Sequence, residues 1–545
     1  MMKKKFMSLF VGVSVLAAVL SACGGNKTDA TAAQTTAQAE AAKETDKAAA
    51  ETVAAKEEKT STEPKNLIIP SASCISNLNP LLEGYKEGVI MLNPLYDPLY
   101  VIDVNETRFY LADSYEVSED GKEITLKLKD GLEWHDGEPI TADDVIFTLD
   151  VNADTNNGAG STNTVIINDE KVSYEKVDDL TVKITLPVAS ASYPDLLGSL
   201  TLIPKHVFGG NTNIVGAEAN MSGIGSGPYK LSEFKQDQYL VLEKNEDYYM
   251  GAPSIDKITF KIISDISAQE VALMNGEVNF MEISNSQAVE KYSADAGYSV
   301  VKYPEGRVNY LAVNKFCPTF EDKRVVEAVF AALNREEIIA GAYGTGMAEP
   351  ANTCFSNVNT FYDSTIEGYT QDIEKAKELV KEAGLEGKTM TLYFNSERVY
   401  MKESAQIIQQ QLKAVGIVLD VIPLESSGFF EKVFGTDSDY EFYLNGYGAV
   451  GDPDKVVAGM YDGTWGVNLA VSEELSQLWK DARTVFTEEE RASLYKQIQE
   501  KTRDEKTCYP IAYPNYVFVT TSNVKGADAI KRTPIFEDYT KLTIE

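Results

Sequence analysis

The sequence predicts an α/β protein of at least two lobes, and three observations carry that prediction. The chain has 545 residues, more than one hydrophobic core usually serves, because cores stop growing near about 250–300 residues and longer chains divide. Stretches where apolar and polar residues alternate are interleaved with stretches of helical spacing along the whole chain, so strands and helices are mixed rather than segregated. No repeat of about 20–50 residues recurs, which argues against solenoids and propellers.

From the amino terminus, Lys3, Lys4 and Lys5 precede an apolar run of 17 residues from Phe6 to Ala22. That is short of the roughly 20 needed to span a bilayer and has the form of a secretion signal. Residues 26–65 hold no aromatic side chain and one branched aliphatic, Val53. Such a segment cannot bury enough apolar surface to offset chain entropy and is expected to be a disordered tether.

Beyond it, Ile124, Leu126 and Leu128, then Val182, Ile184 and Leu186, then Ile258, Phe260 and Ile262 recur with period two and predict half-buried strands. Thr141 with Asp144 forms a capping-box pattern before Val145-Ile146-Phe147, and Thr487 with Glu490 does so before a helix through Leu494 and Ile498. Ile373, Ala376, Leu379 and Val380 share a helical face ahead of Gly384, as do Ile407, Ile408, Leu412 and Val415 ahead of Gly416. Both glycines stand where a left-handed C-terminal cap belongs. Cys74, Cys317, Cys354 and Cys508 show no CxxC spacing. Buried free thiols are expected, with a pair such as Cys317 and Cys354 as the alternative.

Composition excludes several function classes. Fifty Lys and Arg stand against 83 Asp and Glu, a net charge of −33, and no basic patch of any length follows Lys5, so a general nucleic-acid binder is not expected. With His135 and His206 as the whole histidine complement, a His-rich metal site is excluded, nickel is disfavoured, and a catalytic triad is hard to build. Gly387-Lys388-Thr389 imitates the end of a phosphate loop, but Glu382 stands where that loop needs glycine. Gly223-Ile224-Gly225-Ser226-Gly227 is followed by Pro228 where a dinucleotide loop would open a helix, and reads as a turn between strands. No catalytic residue, metal or cofactor is expected.

One long segment carries positive information. It runs Ser118-Glu119-Asp120-Gly121, through Ile124-Thr125-Leu126, to Asp130-Gly131-Leu132-Glu133-Trp134-His135-Asp136-Gly137 and Thr141-Ala142-Asp143-Asp144-Val145. It closely resembles the signature of the family 5 extracellular solute-binding proteins, the oligopeptide- and dipeptide-binding lipoproteins of ABC importers. Ile203-Pro204-Lys205-His206, Gly225-Ser226-Gly227-Pro228-Tyr229, Asn245-Glu246-Asp247-Tyr248-Tyr249, Asn275-Gly276-Glu277-Val278-Asn279 and Ala376-Lys377-Glu378-Leu379 resemble further family segments, in the family's order. Leu20-Ser21-Ala22-Cys23-Gly24 resembles the bacterial lipoprotein box, which makes Cys23 the expected lipidation site.

The resemblance implies a periplasmic-binding-protein-like type II fold, with two α/β lobes, a small subdomain, a two-strand hinge and a cleft between the lobes. The corresponding organisation is a lipoprotein signal peptide over 1–23, the tether over 24–65, and lobe I over 66–95, 201–300 and 516–545. The small subdomain covers 96–200 and lobe II 301–515. It also implies a monomer, anchored by lipid on the extracytoplasmic face of the cell membrane, that captures a short peptide and delivers it to an ABC permease and ATPase complex. An oligosaccharide or other non-peptide solute, or a surface sensor that kept the fold, is the alternative.

In peptide-binding members an aspartate on a lobe II loop pairs with the peptide ammonium; here that position falls near Ala449, within Tyr447-Gly448-Ala449-Val450-Gly451-Asp452-Pro453. Either Asp452 or Asp454 takes the ammonium, or the solute presents none there. Asn77, Tyr447, Gly448, Asp452 and Trp465 are the expected solute contacts, the two aromatics as cleft walls.

Overall fold

The computed structural model describes residues 64–84, 86–102, 106–167, 170–448, 450–455, 457–461, 469–531 and 538–545. The signal segment, Cys23 and nearly all of the expected tether lie outside the described residues. No helix among the described residues is long and apolar enough to cross a membrane.

Lobe I is built on the parallel pair Asn66–Ser71 and Lys257–Ile262, extended antiparallel by Tyr239–Lys244 and Tyr229–Lys235. The period-two expectation holds, since Ile258 and Phe260 point into a core shared with Leu67, Leu240 and Leu242. A second four-stranded antiparallel sheet, Ala112–Val117, Glu123–Leu128, Thr181–Thr185 and Ser173–Asp178, forms the small subdomain. Ile124, Leu126, Val182 and Ile184 are fully buried there, against Val145 and Leu149 of helix Ala142–Ala153. That helix carries the predicted capping box: Thr141 accepts from the Asp143 amide, and Asp144 accepts from the Thr141 amide at 2.9 Å. At the other predicted box the helix Glu488–Asp504 forms, but the Thr487 hydroxyl donates to the Glu490 carboxylate at 2.6 Å rather than capping an amide.

Lobe II carries Arg307–Val313, Phe442–Gly448, Thr389–Asn395 and Val418–Leu424 in that sheet order. Successive strand residues face opposite sides, and Leu311 and Val313 accordingly join one core while Tyr310 and Ala312 join another. Helices Lys323–Ala332, Ile373–Glu382 and Val399–Ala414 cover the first face, and Glu473–Arg483 and Glu488–Asp504 the second. Gly384 and Gly416 take the predicted left-handed caps, at φ of 63° and 92°. The four described cysteines are free thiols; Cys317 lies in the first core, Cys354 and Cys508 in the second, so the sheet separates Cys317 from Cys354.

Two connections join the lobes. Tyr298–Pro304 leads through Glu305-Gly306 into Arg307–Val313, and the 14-residue strand Cys508–Thr521 runs antiparallel to both. Its end from Asn515 to Thr521 pairs with Tyr298–Pro304, and its start from Cys508 to Ala512 pairs with Asn309 to Ala312. A register shift opposite Asn309 and Tyr310 marks the place where the long strand passes from one sheet to the other.

Candidate functional site

Where the crossing strands meet, a cavity of about 480 Å³ opens between the lobes, within the range usual for small-ligand sites. Lobe I contributes Val89 and Asn93, and the small subdomain Tyr96, Tyr100, Val101, Asn163, Thr164 and Asp195. Glu305, Arg307 and Tyr516 line it from the crossing strands, and Gly448, Val450 and Lys455 from lobe II. Apolar rings and aliphatic chains thus form walls, and a few hydroxyl, amide and charged groups supply direction.

One side of the cavity is sealed by contacts between lobes. Asp195, on the short helix Tyr193–Gly198 of the small subdomain, accepts from the Asp452 amide at 2.8 Å and from Lys455 Nζ at 3.2 Å. Burial pushes the Asp195 carboxyl above its ordinary value, and Lys455 acts against that shift. Lys455 also donates to Ser199 Oγ at 3.1 Å. Ser192 Oγ donates to Asp454 at 2.9 Å, and the Ala191 amide to the Arg483 carbonyl at 3.1 Å. Gly451 fits at φ 68° because any Cβ there would stand 2.3 Å from the Asp195 carboxylate.

The two acidic residues singled out in the sequence are both ion-paired. Asp452 is buried and held by Arg491 through two bonds, Nη1 at 2.6 Å and Nη2 at 3.0 Å. Burial alone would lower the Arg491 value, and Asp452 overrides it, raising the guanidinium above its ordinary range. Asp454 receives Arg483 Nε at 3.0 and 3.1 Å, though burial keeps its carboxyl above the ordinary value.

Gly448, an expected solute contact, stands on the cavity wall. Tyr447, its neighbour, turns into the lobe II core, with its hydroxyl donating to the Cys354 carbonyl and its ring 5.3 Å from that of Tyr310. Asn77 organises its own loop, donating to Glu83 at 2.9 Å and accepting from the Asn79 amide at 2.8 Å. The structure therefore brings Gly448 and Asp452 to the junction of the lobes and sets Tyr447 and Asn77 to other tasks. Trp465 and Ala449 lie outside the described residues.

Sequence reasoning missed Glu305, Arg307, Asp195 and Lys455. The first two had a signal: opposite charges flanking Gly306 at the joint between the apolar runs from Tyr298 and from Val308. His135, the lone histidine of the signature segment, is scaffold. Its Nδ1 accepts from the Gly225 amide at 3.1 Å, its Nε2 meets the Gly227 carbonyl at 3.0 Å, and burial lowers it to about 4.

Comparison with known proteins agrees with this geometry. The profile of bacterial extracellular solute-binding proteins, family 5 Middle, matches residues 107–468. The oligopeptide-binding protein AppA of Bacillus subtilis (strain 168) is 28% identical, over 96% of this chain and 96% of that protein. Among solved structures, the ABC transporter substrate-binding protein CtaP of Listeria monocytogenes is 34% identical with a TM-score of 0.82, over 88% of this chain and all of that one. The B. subtilis AppA structure, in complex with a nonapeptide, is 25% identical with a TM-score of 0.68, over 89% of this chain and all of that one.

Proposed function

Because the chain belongs to the bacterial extracellular solute-binding proteins of family 5, we propose that it is the lipid-anchored receptor of an ABC importer, taking a short peptide between its lobes and handing it unchanged to a membrane permease. The observation that carries this reading is the cavity, whose walls come from both lobes and from the crossing strands. Such a site can exclude water on closure, which strengthens each hydrogen bond inside it. Binding and release then need no covalent chemistry. The AppA relative, named for oligopeptide binding and solved with a nonapeptide, supports a peptide as the solute.

The anchor follows from Leu20-Ser21-Ala22-Cys23. Two acyl chains on Cys23 hold a protein far better than one, since each buried CH₂ adds about 0.8 kcal/mol and a single chain binds only marginally. One observation favours a second reading, a non-peptide solute such as an oligosaccharide. Asp452 and Asp454 are both engaged by arginines, so neither is open to a free ammonium.

Calorimetry or native mass spectrometry with a pool of random short peptides decides between the two. Binding of peptides is expected; no peptide binding beside clear glycan binding would reverse the choice. In cells, metabolic lipid labelling should mark the parent and not Cys23→Ala.

A further inference from the structure

Arg307 stands at the joint of the two lobes, where Tyr298–Pro304 gives way to the lobe II sheet, and lines the cavity with part of its side chain exposed. Two contacts fix its guanidinium plane. Nε donates to Glu305 at 3.1 Å, and Nη1 donates to the Gly446 carbonyl at 3.0 Å. Nη2 makes no hydrogen bond among the described residues. The guanidinium, whose edges can grip a carboxylate with two parallel bonds, is thus oriented, and its Nη2 donors remain to give.

The residue opposite Arg307 in the strand pair is Gly448. Two glycines of this strand lie beside the arginine, and they differ. A Cβ at Gly446 would meet the Asn309 side-chain oxygen at 2.0 Å, so packing demands that glycine. At Gly448 a Cβ would meet nothing within 4 Å, and the backbone is not in the left-handed region. Neither conformation nor packing requires glycine there. Its effect is open space on the cavity wall beside an arginine with unused donors.

Resting on the peptide reading above, we infer that Arg307 and the space over Gly448 form a carboxylate subsite for the solute, with Glu305 as the positioning residue that holds the fork. The carboxylate has two possible sources in a peptide, its C-terminus or an acidic side chain. Charge-assisted bonds of this kind correspond to about 10- to 100-fold in affinity.

The test uses the full chain and synthetic short-peptide pools in matched pairs: free acid against C-terminal amide, and Glu-containing against Gln-containing. The parent should favour the free-acid or the Glu pool by about tenfold or more, and the preferred pair identifies the source. In Arg307→Gln the ratio should collapse toward one. Equal binding of both members of both pairs by the parent, or an undiminished preference in Arg307→Gln, overturns the subsite while leaving the peptide reading intact. Absence of binding by every pool overturns both. Should Arg307→Gln fail to fold, Gly448→Leu keeps the arginine and fills the space. It is expected to weaken the favoured pool at least tenfold, and parent-like affinity would overturn the proposal.

Discussion

Asp452 and Arg491 show how little a residue's type says about its availability. An acidic residue near a binding loop invites assignment to a cationic solute, but Asp452 is enclosed and already carries a guanidinium on both oxygens. Removing one member of such a pair strands the other charge in a poor solvent, at a cost of about 3–5 kcal/mol. Asp452→Ala and Arg491→Met should therefore each lower the denaturation midpoint markedly. The double variant should lose less than the sum of the two. A midpoint unchanged in Asp452→Ala, with solute binding lost, would instead assign the carboxylate to the solute. The acid was legible in the sequence; its partner was not. Arg491 lies 39 residues later on the helix Glu488–Asp504, and no spacing rule connects a loop to a helix that packs on it only in the folded state.

At the scale of elements, local chemistry was readable wherever one face meets the core and one meets water. The strands through Ile124, Val182 and Ile258 and the helix behind Thr141 are of this kind. The strand Cys508–Thr521 is not, being buried almost throughout and carrying Pro510 and Pro514. A buried strand has no alternation to detect, and proline argues against a strand interior. These prolines are tolerated because they fall where the strand changes partners, at the shift opposite Tyr310 and at the pairing with Ala348. The turn Gly225-Ser226-Gly227 offers a direct test of element packing. A Cβ at Gly225 would lie 1.9 Å from the Leu95 carbonyl oxygen, a backbone atom that cannot swing aside. Gly225→Ala should destabilise by about 1–3 kcal/mol or more in chemical denaturation; an unchanged midpoint would show that the 94–95 segment can retreat.

For the whole molecule, length announced the lobes and the family resemblance a cleft between them, whereas most of the cavity's lining was illegible because its walls are assembled from segments hundreds of residues apart. The contacts that seal one side of it are expected to favour a closed form over an open one. Asp195 takes both an amide and an ammonium from lobe II, and such bonds to charged groups stabilise by about 1.5–3 kcal/mol. Asp195→Asn and Lys455→Ala should shift the solute-free protein toward the open form about tenfold or more, seen as a larger radius of gyration in small-angle X-ray scattering. High salt should mimic the change weakly, since a largely buried pair is screened little. Identical radii for the parent and both variants would mean that these contacts do not govern closure.

The shared strand also dictates an order of assembly. Lobe II closes its sheet with Cys508 to Ala512, whereas the lobe I core still awaits Tyr516, Phe518, Val524, Tyr539 and Leu542. During synthesis the first-made lobe must therefore be finished last, its apolar face uncovered while some 250 later residues emerge. Chaperones have their longest opportunity, and aggregation its greatest chance, on the half of the molecule that is made first.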